Sequence, residues 1–280
     1  MEMRCSMRKS SAVGTIKWIL RILLVLFAVL PIYGGLIVAL TPYENIMEPL
    51  LYPKYFCLHN LVEVWTETGL GRMIVNSVLY ASLTTLCVVL VGVPAAYAFA
   101  RYRFRGRRFL LFGFLSAQMF SPILILPTLY LLFSRLHLLN TFHGVVFAMT
   151  GFELALAIWL QLGFISTIPR EVEESAMLDG ASIGTILSRI VAPIAAPGIA
   201  ASAMFTFTGT YNSFIVPLFL LTKSRMYPMT LGLYSMVTEL QVKWHLVASA
   251  SIIGLVPAVV FFLLAQRYII EGAAAGAVKM

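Results

Sequence analysis

Six long apolar runs, separated by shorter polar stretches, set the pattern of this chain. They cover residues 18–40, 73–100, 109–134, 144–165, 200–221 and 246–266. Each approaches or exceeds the about 20 apolar residues with which an α-helix crosses the hydrocarbon core of a bilayer. Arg21 and Glu153 are the only charged residues inside them. The pattern therefore predicts an all-α polytopic membrane protein with six transmembrane helices.

The composition agrees with a membrane protein and argues against several other classes. Hydrophobic residues make up 60% of the 280 residues, charged residues 11%, and the mean hydropathy is +0.90. This leaves too little polar surface to cover a soluble globule of this size. The net charge of +8 comes from basic residues at the ends of apolar runs, so nucleic acid is not an expected partner. Three cysteines without paired spacing indicate neither a disulfide framework nor a metal site.

The first apolar run allows two interpretations. A signal peptide is one, but the run is longer than a usual signal core and no clear cleavage site follows it. An uncleaved first transmembrane helix is therefore favoured.

The distribution of basic residues predicts the orientation in the membrane. Fourteen of the 20 Lys and Arg residues fall on the side that holds both termini, and six on the other. By the positive-inside rule, both termini and the loops after the second and fourth helices are cytoplasmic. The predicted organisation is a cytoplasmic segment (1–17), a first helix with an external loop (18–71), a core of five helices (72–268) and a cytoplasmic tail (269–280).

Two features inside the predicted helices depart from plain apolar sequence. Pro122 and Pro127 each remove a backbone donor, which predicts a kinked or broken third helix. Glu153 lies near the middle of the fourth helix, where a carboxylate costs about 3 kcal/mol on insertion scales. An ionisable group at this depth indicates function by default. Protonation, or a hydrogen bond to Gln161 or a hydroxyl on a neighbouring helix, is an equally weighted structural alternative.

The cytoplasmic loop between the fourth and fifth helices is acidic, unlike the other cytoplasmic segments. Its pattern predicts a first acidic helix over 169–178, a turn at Gly180 and a second short helix closed by Pro193. Ile183, Ile186, Leu187 and Ile190 recur at helical spacing and form one apolar stripe on the second helix. A protein surface is the expected partner, because the excess of acids disfavours attraction to an anionic lipid surface. An amphipathic connector lying on the bilayer is the less favoured alternative.

These residues resemble the EAA motif of membrane permeases in binding-protein-dependent ABC importers. The motif has the order EAA, three residues, Gly, nine residues, Ile, any residue, Leu, Pro. The matching positions here are Glu174, Ser175, Ala176, Gly180, Ile190 and Pro193. Ser175 and Ala192 depart from the motif residues, but both remain small. The resemblance implies that this segment, here called the coupling loop (166–198), contacts a separate ATPase through Glu174, Ser175, Ala176, Asp179, Gly180, Ile190 and Pro193.

The resemblance extends over about residues 72–279. Over these residues the sequence is similar to the carbohydrate branch of the family, the maltose-type second permease. It rests on Asn76-Ser77, AAYAFARYRFRGRR, LLNT, IWLQLGF, IPREVEESAMLDGAS and GAAAGAVK. The family pattern in the fifth helix, Phe-x-x-x-Trp-Asn-x-Phe, has Tyr211 in place of Trp. The substrate pathway is expected to include Glu153, Tyr211 and Asn212.

The resemblance implies a half-pore in the inner membrane of a bacterial or archaeal cell. Its expected partners are a second related permease, a dimer of ATP-binding subunits, an extracytoplasmic substrate-binding protein and membrane lipid. ATP and Mg²⁺ are expected on the ATPase, since this sequence has no phosphate-binding GxxxxGK[ST] loop and no cofactor of its own is indicated. No catalytic or metal-ligating cluster is indicated either, so a transport subunit is favoured over an enzyme. A permease for glycerol phosphate or polyols is the nearest alternative, and an ion-coupled secondary transporter a more distant one.

Overall fold

The computed structural model describes residues 2–48, 52, 54–238 and 241–277, with side chains from Lys17 onward except at 265 and 267–277. Within these ranges the regular structure is helical, with no strand. The α-helices are α1 Glu2–Leu40, α2 His59–Glu67, α3 Leu70–Arg101, α4 Arg107–Met119, α5 Pro122–Arg135, α6 Phe142–Ile165, α7 Arg170–Leu178, α8 Ile183–Ile186, α9 Ala192–Ile194, α10 Ala196–Tyr211, α11 Ile215–Leu220, α12 Met229–Val237 and α13 Trp244–Ala277. Short 3₁₀ segments cover Tyr43–Asn45 and Ser224–Met226, and a π-helical segment covers Leu187–Val191.

The helices long and apolar enough to cross a membrane match the predicted runs. Four pass on length and composition: Lys17–Leu40, Leu70–Arg101, Phe142–Ile165 and Trp244–Leu264. Two bent pairs raise the number of candidate spans in the described part of the chain to as many as six. The prediction of an all-α polytopic membrane protein is therefore confirmed.

The third predicted helix is broken, as its prolines predict. α4 and α5 meet at an angle of 102° around Phe120 and Ser121. Pro122 is the first residue of α5. An N–H at this position has no partner within the helix, so the proline costs no helical hydrogen bond. Pro127 lies inside α5 without interrupting it.

The fifth predicted helix, at 200–221, is not one helix, and this prediction was wrong. α10 ends at Tyr211, and α11 begins only at Ile215. Pro217 cannot donate to the carbonyl of Ser213 four residues earlier, so the helix has no continuous ladder here. That carbonyl instead accepts the hydroxyl of Thr230 at 2.7 Å. The bent pair that includes α10 is formed with Ile183–Ile194, at an angle of 80°.

Contacts between residues divide the chain into two compact units. One comprises Met1–Gly69 and Met236–Ile253, the other Leu70–Ser235 and Gly254–Met280. The boundaries predicted from the sequence, with a core over 72–268, stay a prediction.

In the larger unit, α3, α6 and α10 pack against one another. Small residues let these helices approach closely, as is common between membrane helices. A Cβ at Gly92 on α3 would lie 2.8 Å from the Oε1 atom of Gln161 on α6. The Nε2 atom of Gln161 donates to the Ser202 hydroxyl on α10 at 2.8 Å, and both side chains are buried. One amide therefore joins three helices.

In the smaller unit, the end of α1 is held by side chains from two later segments. The Asn60 amide donates to the carbonyls of Ala39 and Thr41, each at 2.9 Å. The Ser249 hydroxyl donates to Ala39 at 3.3 Å. These bonds satisfy carbonyls that the last turn of a helix leaves without helical partners.

Candidate functional site

The coupling loop folds as a helical hairpin, here called the coupling hairpin (170–194). α7 forms its first arm, and α8, the π-helical segment and α9 form the second. The predicted helix–turn–helix is therefore confirmed, except that the second arm runs one residue beyond Pro193, to Ile194. Pro193 lacks the N–H that would bond to Arg189, and its ring crowds that carbonyl, which favours the wider π-helical turn before it.

Gly180 makes the turn between the two arms. Its φ of +83° lies in the left-handed region that residues with a Cβ seldom adopt. The N–H of Gly180 donates to Met177 and that of Ala181 to Ala176, both at 3.0 Å, which closes the end of α7. The Ser182 hydroxyl then accepts the N–H of Thr185 and begins α8.

The apolar stripe of the second arm faces the protein's own core. Ile186 is fully buried, and Leu187 and Ile190 pack against the same cluster. That cluster includes Tyr97 of α3 and Ile158 of α6. Of the four stripe residues, only Ile183 is largely exposed, at 54%. The stripe therefore seats the hairpin on the helix bundle and does not offer a continuous surface to a partner.

A buried ion pair anchors the first arm to α3. The Glu173 carboxylate lies 2.6 Å from the Arg101 guanidinium and also accepts the Tyr97 hydroxyl at 2.9 Å. Arg101 donates further to the carbonyl of Ile168 at 2.9 Å. Both charged side chains are less than a tenth exposed. Such a pair, when its other donors and acceptors are also hydrogen-bonded, fixes the position of the first arm against α3. Removing one partner leaves a buried charge uncompensated.

Sequence reasoning missed this anchor. Arg101 is the first of five arginines and counts toward the cytoplasmic charge bias, and Glu173 is one of several acids in the loop. The available signal is their position, since Arg101 is the last residue of a long helix and Glu173 lies in the first turn of another.

The sequence-predicted coupling residues fall into three groups. Ala176 and Ile190 pack inward, and Gly180 forms the turn. Glu174, Ser175, Asp179 and Pro193 are exposed. Ser175 donates to the Glu171 carbonyl of its own helix at 2.8 Å, whereas no described residue pairs with the Glu174 carboxylate. Glu174 is thus open to a group from outside the chain.

Exposed apolar side chains surround the turn of the hairpin. Leu178 is 90% exposed, and Val172, Met177 and Ile183 are also exposed. Together with Glu174 and Asp179 they form a mixed apolar and acidic surface, here called the hairpin tip. Large apolar side chains at this exposure, clustered and rimmed by charge, are typical of a protein interaction site.

Glu153 lines a cavity of about 450 Å³ beside the break between α4 and α5. The remaining described lining is apolar apart from Gln118, whose amide donates to the Phe152 carbonyl at 3.3 Å. A Cβ at Gly209 of α10 would lie 2.7 Å from Oε1 of Glu153, so the carboxylate sits against that glycine. No described residue donates a hydrogen bond to it, and Gln161 bonds to Ser202 instead.

Tyr211 and Asn212 occupy different surroundings at the end of α10. Tyr211 is buried, and its hydroxyl donates to the Gly254 carbonyl of α13 at 2.7 Å. It belongs to a small cluster with Ala81 and Phe207, and Phe207 stacks on Phe261 at 3.6 Å. Asn212 is exposed where α10 ends. Tyr211 thus contributes to helix packing, and Asn212 is the more accessible of the two.

The fold and the hairpin define a helical membrane permease whose sequence matches a known family. Residues 88–272 match the family of the binding-protein-dependent transport system inner membrane component, and the chain belongs to this family. It is a transport subunit of the inner membrane, and the predictions of its class, function and location are confirmed.

Relatives of known function span most of the chain. It is 30% identical, over 92% of its length and 94% of the relative's, to a trehalose/maltose transport system permease protein, MalG, of Thermococcus litoralis. It is 36% identical, over 73% of its length and 71% of the relative's, to a maltose/maltodextrin transport system permease protein, MalG, of Photorhabdus laumondii.

A solved structure has the same fold at low sequence identity. A chain from the crystal structure of a bacterial ABC transporter involved in the import of the acidic polysaccharide alginate superposes with a TM-score of 0.82 at 20% identity. The match covers 93% of this chain and 98% of that one.

Proposed function

We propose that this permease carries a saccharide across the membrane together with a second, related permease. The names of the relatives that span most of the chain support the substrate class, since they transport trehalose, maltose or maltodextrin. Selectivity in such a system is shared with the binding protein and the second permease. Capturing the binding protein that co-purifies with this chain, and measuring its affinity for trehalose, maltose and glycerol phosphate, tests the proposal. Preferential binding of glycerol phosphate would contradict it.

The hairpin tip is the site at which a separate ATPase docks. Two features together support docking at this site. The hairpin tip exposes apolar and acidic side chains, and the Glu173–Arg101 ion pair fixes the first arm of the hairpin to α3. ATP and Mg²⁺ bind to the ATPase dimer, and its closure moves the hairpin as a rigid body. Because Glu173 and Arg101 are joined, the displacement reaches α3 and opens the pathway to the other side of the membrane. Both termini lie on the ATPase side.

Leu178→Asp tests this docking. Leu178 is 90% exposed, so its replacement removes apolar contact area with the ATPase without disturbing the permease core. We expect loss of ATPase co-purification, with a dissociation constant at least tenfold higher, equivalent to about 1.4 kcal/mol of binding free energy, and lower uptake as a result. Thermal unfolding of the permease should be unchanged.

Met47→Asp provides the matched control. Met47 is 86% exposed and lies in the loop after α1, outside the coupling hairpin. It should retain ATPase co-purification. Equal loss in both variants, or normal co-purification of Leu178→Asp, would place the ATPase elsewhere.

Glu153 and Asn212 contact the saccharide in the pathway, with Tyr211 supporting them through α10. A carboxylate in a cavity that is otherwise apolar apart from Gln118 supplies the acceptor that sugar hydroxyls require. Glu153→Gln keeps the shape of the side chain and removes its charge, so we expect lower uptake and altered selectivity between maltose and trehalose. Retained uptake with unchanged selectivity would assign Glu153 to packing against Gly209.

A further inference from the structure

A second cavity lies in the smaller unit, and its described lining shares no residue with the coupling hairpin or with the cavity at Glu153. Its volume is about 330 Å³, near the lower end of the range for small-molecule sites. It is here called the loop cavity, and its described lining is Pro42, Tyr43, Cys57, Asn60, Glu63, Gln241, Lys243 and His245. All of these residues belong to the segments that follow α1 and that precede or begin α13.

His245 is a buried polar side chain that lines the loop cavity, and its Nδ1 atom lacks a hydrogen-bond partner among the described residues. It is 4% exposed, and its Nδ1 atom has no hydrogen bond to any described residue. Buried polar atoms are nearly always hydrogen-bonded, and each exception calls for an explanation. The tautomer of a histidine is normally set by the bond that one ring nitrogen makes. Here no described group bonds to Nδ1, and His245 is among the residues that line the cavity.

The two charged residues in the described lining of the loop cavity, Glu63 and Lys243, have opposite charges. Lys243 lies 3.8 Å from Glu63 and 3.8 Å from Glu67, beyond ordinary hydrogen-bond distance in both cases. Of the two acids, only Glu63 lines the cavity. An ammonium and a carboxylate at this separation offer a donor and an acceptor side by side without a net charge. They suit neighbouring hydroxyl groups better than they suit a free anion or cation.

The remaining walls combine a fixed frame with an aromatic face. The Asn60 amide uses both N–H groups on the carbonyls of Ala39 and Thr41, and its oxygen accepts the Cys57 thiol at 3.4 Å. The ring of Tyr43 lies 5.3 Å from that of His245, tilted by 59°. A largely apolar wall with a few placed polar groups is the usual form of a small-molecule site.

From these observations we infer that the loop cavity binds a neutral, polyhydroxylated molecule the size of one sugar ring. Its hydroxyl groups bond to Glu63, Lys243 and His245, and its apolar face lies against Tyr43. The site shares no described residue with the transport pathway proposed above. Binding at this site does not depend on which solute the permease carries, because every described lining residue belongs to the smaller unit.

The test is direct binding to the full-length permease in nanodiscs, without ATPase or binding protein. Methyl α-glucoside is the probe, glucuronate the anionic comparison, and saturation-transfer NMR the readout. We expect binding of methyl α-glucoside in preference to glucuronate. Glu63→Gln and His245→Phe should each weaken it by about tenfold or more, the effect of losing one hydrogen bond that involves a charged or buried group. Phenylalanine keeps the ring packed against Tyr43.

Glu67→Gln is the matched control, since Glu67 is equally distant from Lys243 but does not line the cavity. The affinity of Glu67→Gln for methyl α-glucoside should match that of the unchanged protein. Absence of binding, equal binding of glucuronate, or the same loss in all three variants would overturn the inference. A different outcome would also overturn the inference: no sugar binding, together with loss of the complex with the binding protein in Glu63→Gln. The cavity would then hold a side chain of that protein. Sugar uptake is not the readout, so failure here is distinguishable from failure of the proposed function.

Discussion

Replacing Arg101 by alanine is expected to abolish transport while the chain still inserts into the membrane. The change leaves the Glu173 carboxylate buried without its partner, a loss of about 3–5 kcal/mol for a buried pair. α7 should then detach from the end of α3, so movement of the hairpin no longer reaches the bundle. Sugar uptake by vesicles and limited trypsin cleavage at the exposed Arg170 and Arg189 measure the two effects. Cleavage should become faster as uptake falls.

Arg103→Ala is the control for the Arg101 experiment. Arg103 belongs to the same basic loop and is exposed, with no ion pair to a described residue. Its loss should change neither readout. A double variant tests whether the effect of Arg101→Ala comes from the unpaired Glu173 charge. Replacing Arg101 and Glu173 together by methionine and leucine removes the unpaired charge, so slow trypsin cleavage should return. Wild-type uptake by Arg101→Ala would contradict the anchoring role of this pair.

Gly180→Asp is expected to abolish transport without preventing insertion. At a φ of +83°, a residue with a Cβ carries strain of about 1–2 kcal/mol. Nothing lies within 4 Å of the position that a Cβ would take, so the strain is in the backbone and is relieved only by moving the turn. That movement should shift one arm of the hairpin relative to the other and disrupt the hairpin tip. Gly180→Val should be at least as damaging, because aspartate tolerates the left-handed region better than a β-branched residue.

Gly184→Ala tests whether the effect is specific to the turn. Gly184 lies four residues further on in α8, has no positive φ, and its Cβ would meet only the Ser182 hydroxyl at 4.0 Å. This variant should transport normally. If Gly180→Asp also supports normal uptake, with the permease present in the membrane at equal amounts, the turn does not control coupling.

The spans were predictable because apolar length is a property of each segment alone. The second and fourth predicted helices lie within two or three residues of the observed ends, and the break at Pro122 follows from a missing donor. The break after Tyr211 was missed because the run stays apolar on both sides, although Pro217 removes a backbone donor there as Pro122 does in the third helix. The Ser213 carbonyl, which Pro217 leaves without a helical donor, accepts a hydrogen bond from Thr230, and that contact is not visible in sequence.

The coupling site was predictable in outline but not in which side chain faces inward. Glu173 and Glu174 are adjacent, and neighbouring residues on a helix point about 100° apart. The structure turns Glu173 to Arg101 and leaves Glu174 exposed. The motif match favoured Glu174, and nothing local identified its neighbour as the anchor. The isoleucine stripe posed the same problem, because periodicity shows that a face is apolar without showing what covers it.

The contact among Gly92, Gln161 and Ser202 limits how this permease can be redesigned. A side chain at position 92 would displace the amide that reaches Ser202, and a shorter residue at 161 would leave that hydroxyl without its donor and a gap beside Gly92. Each single exchange therefore disturbs three helices. An apolar version of this junction requires the three positions to be changed together. A redesign that changes one position at a time produces poorly packed intermediate variants.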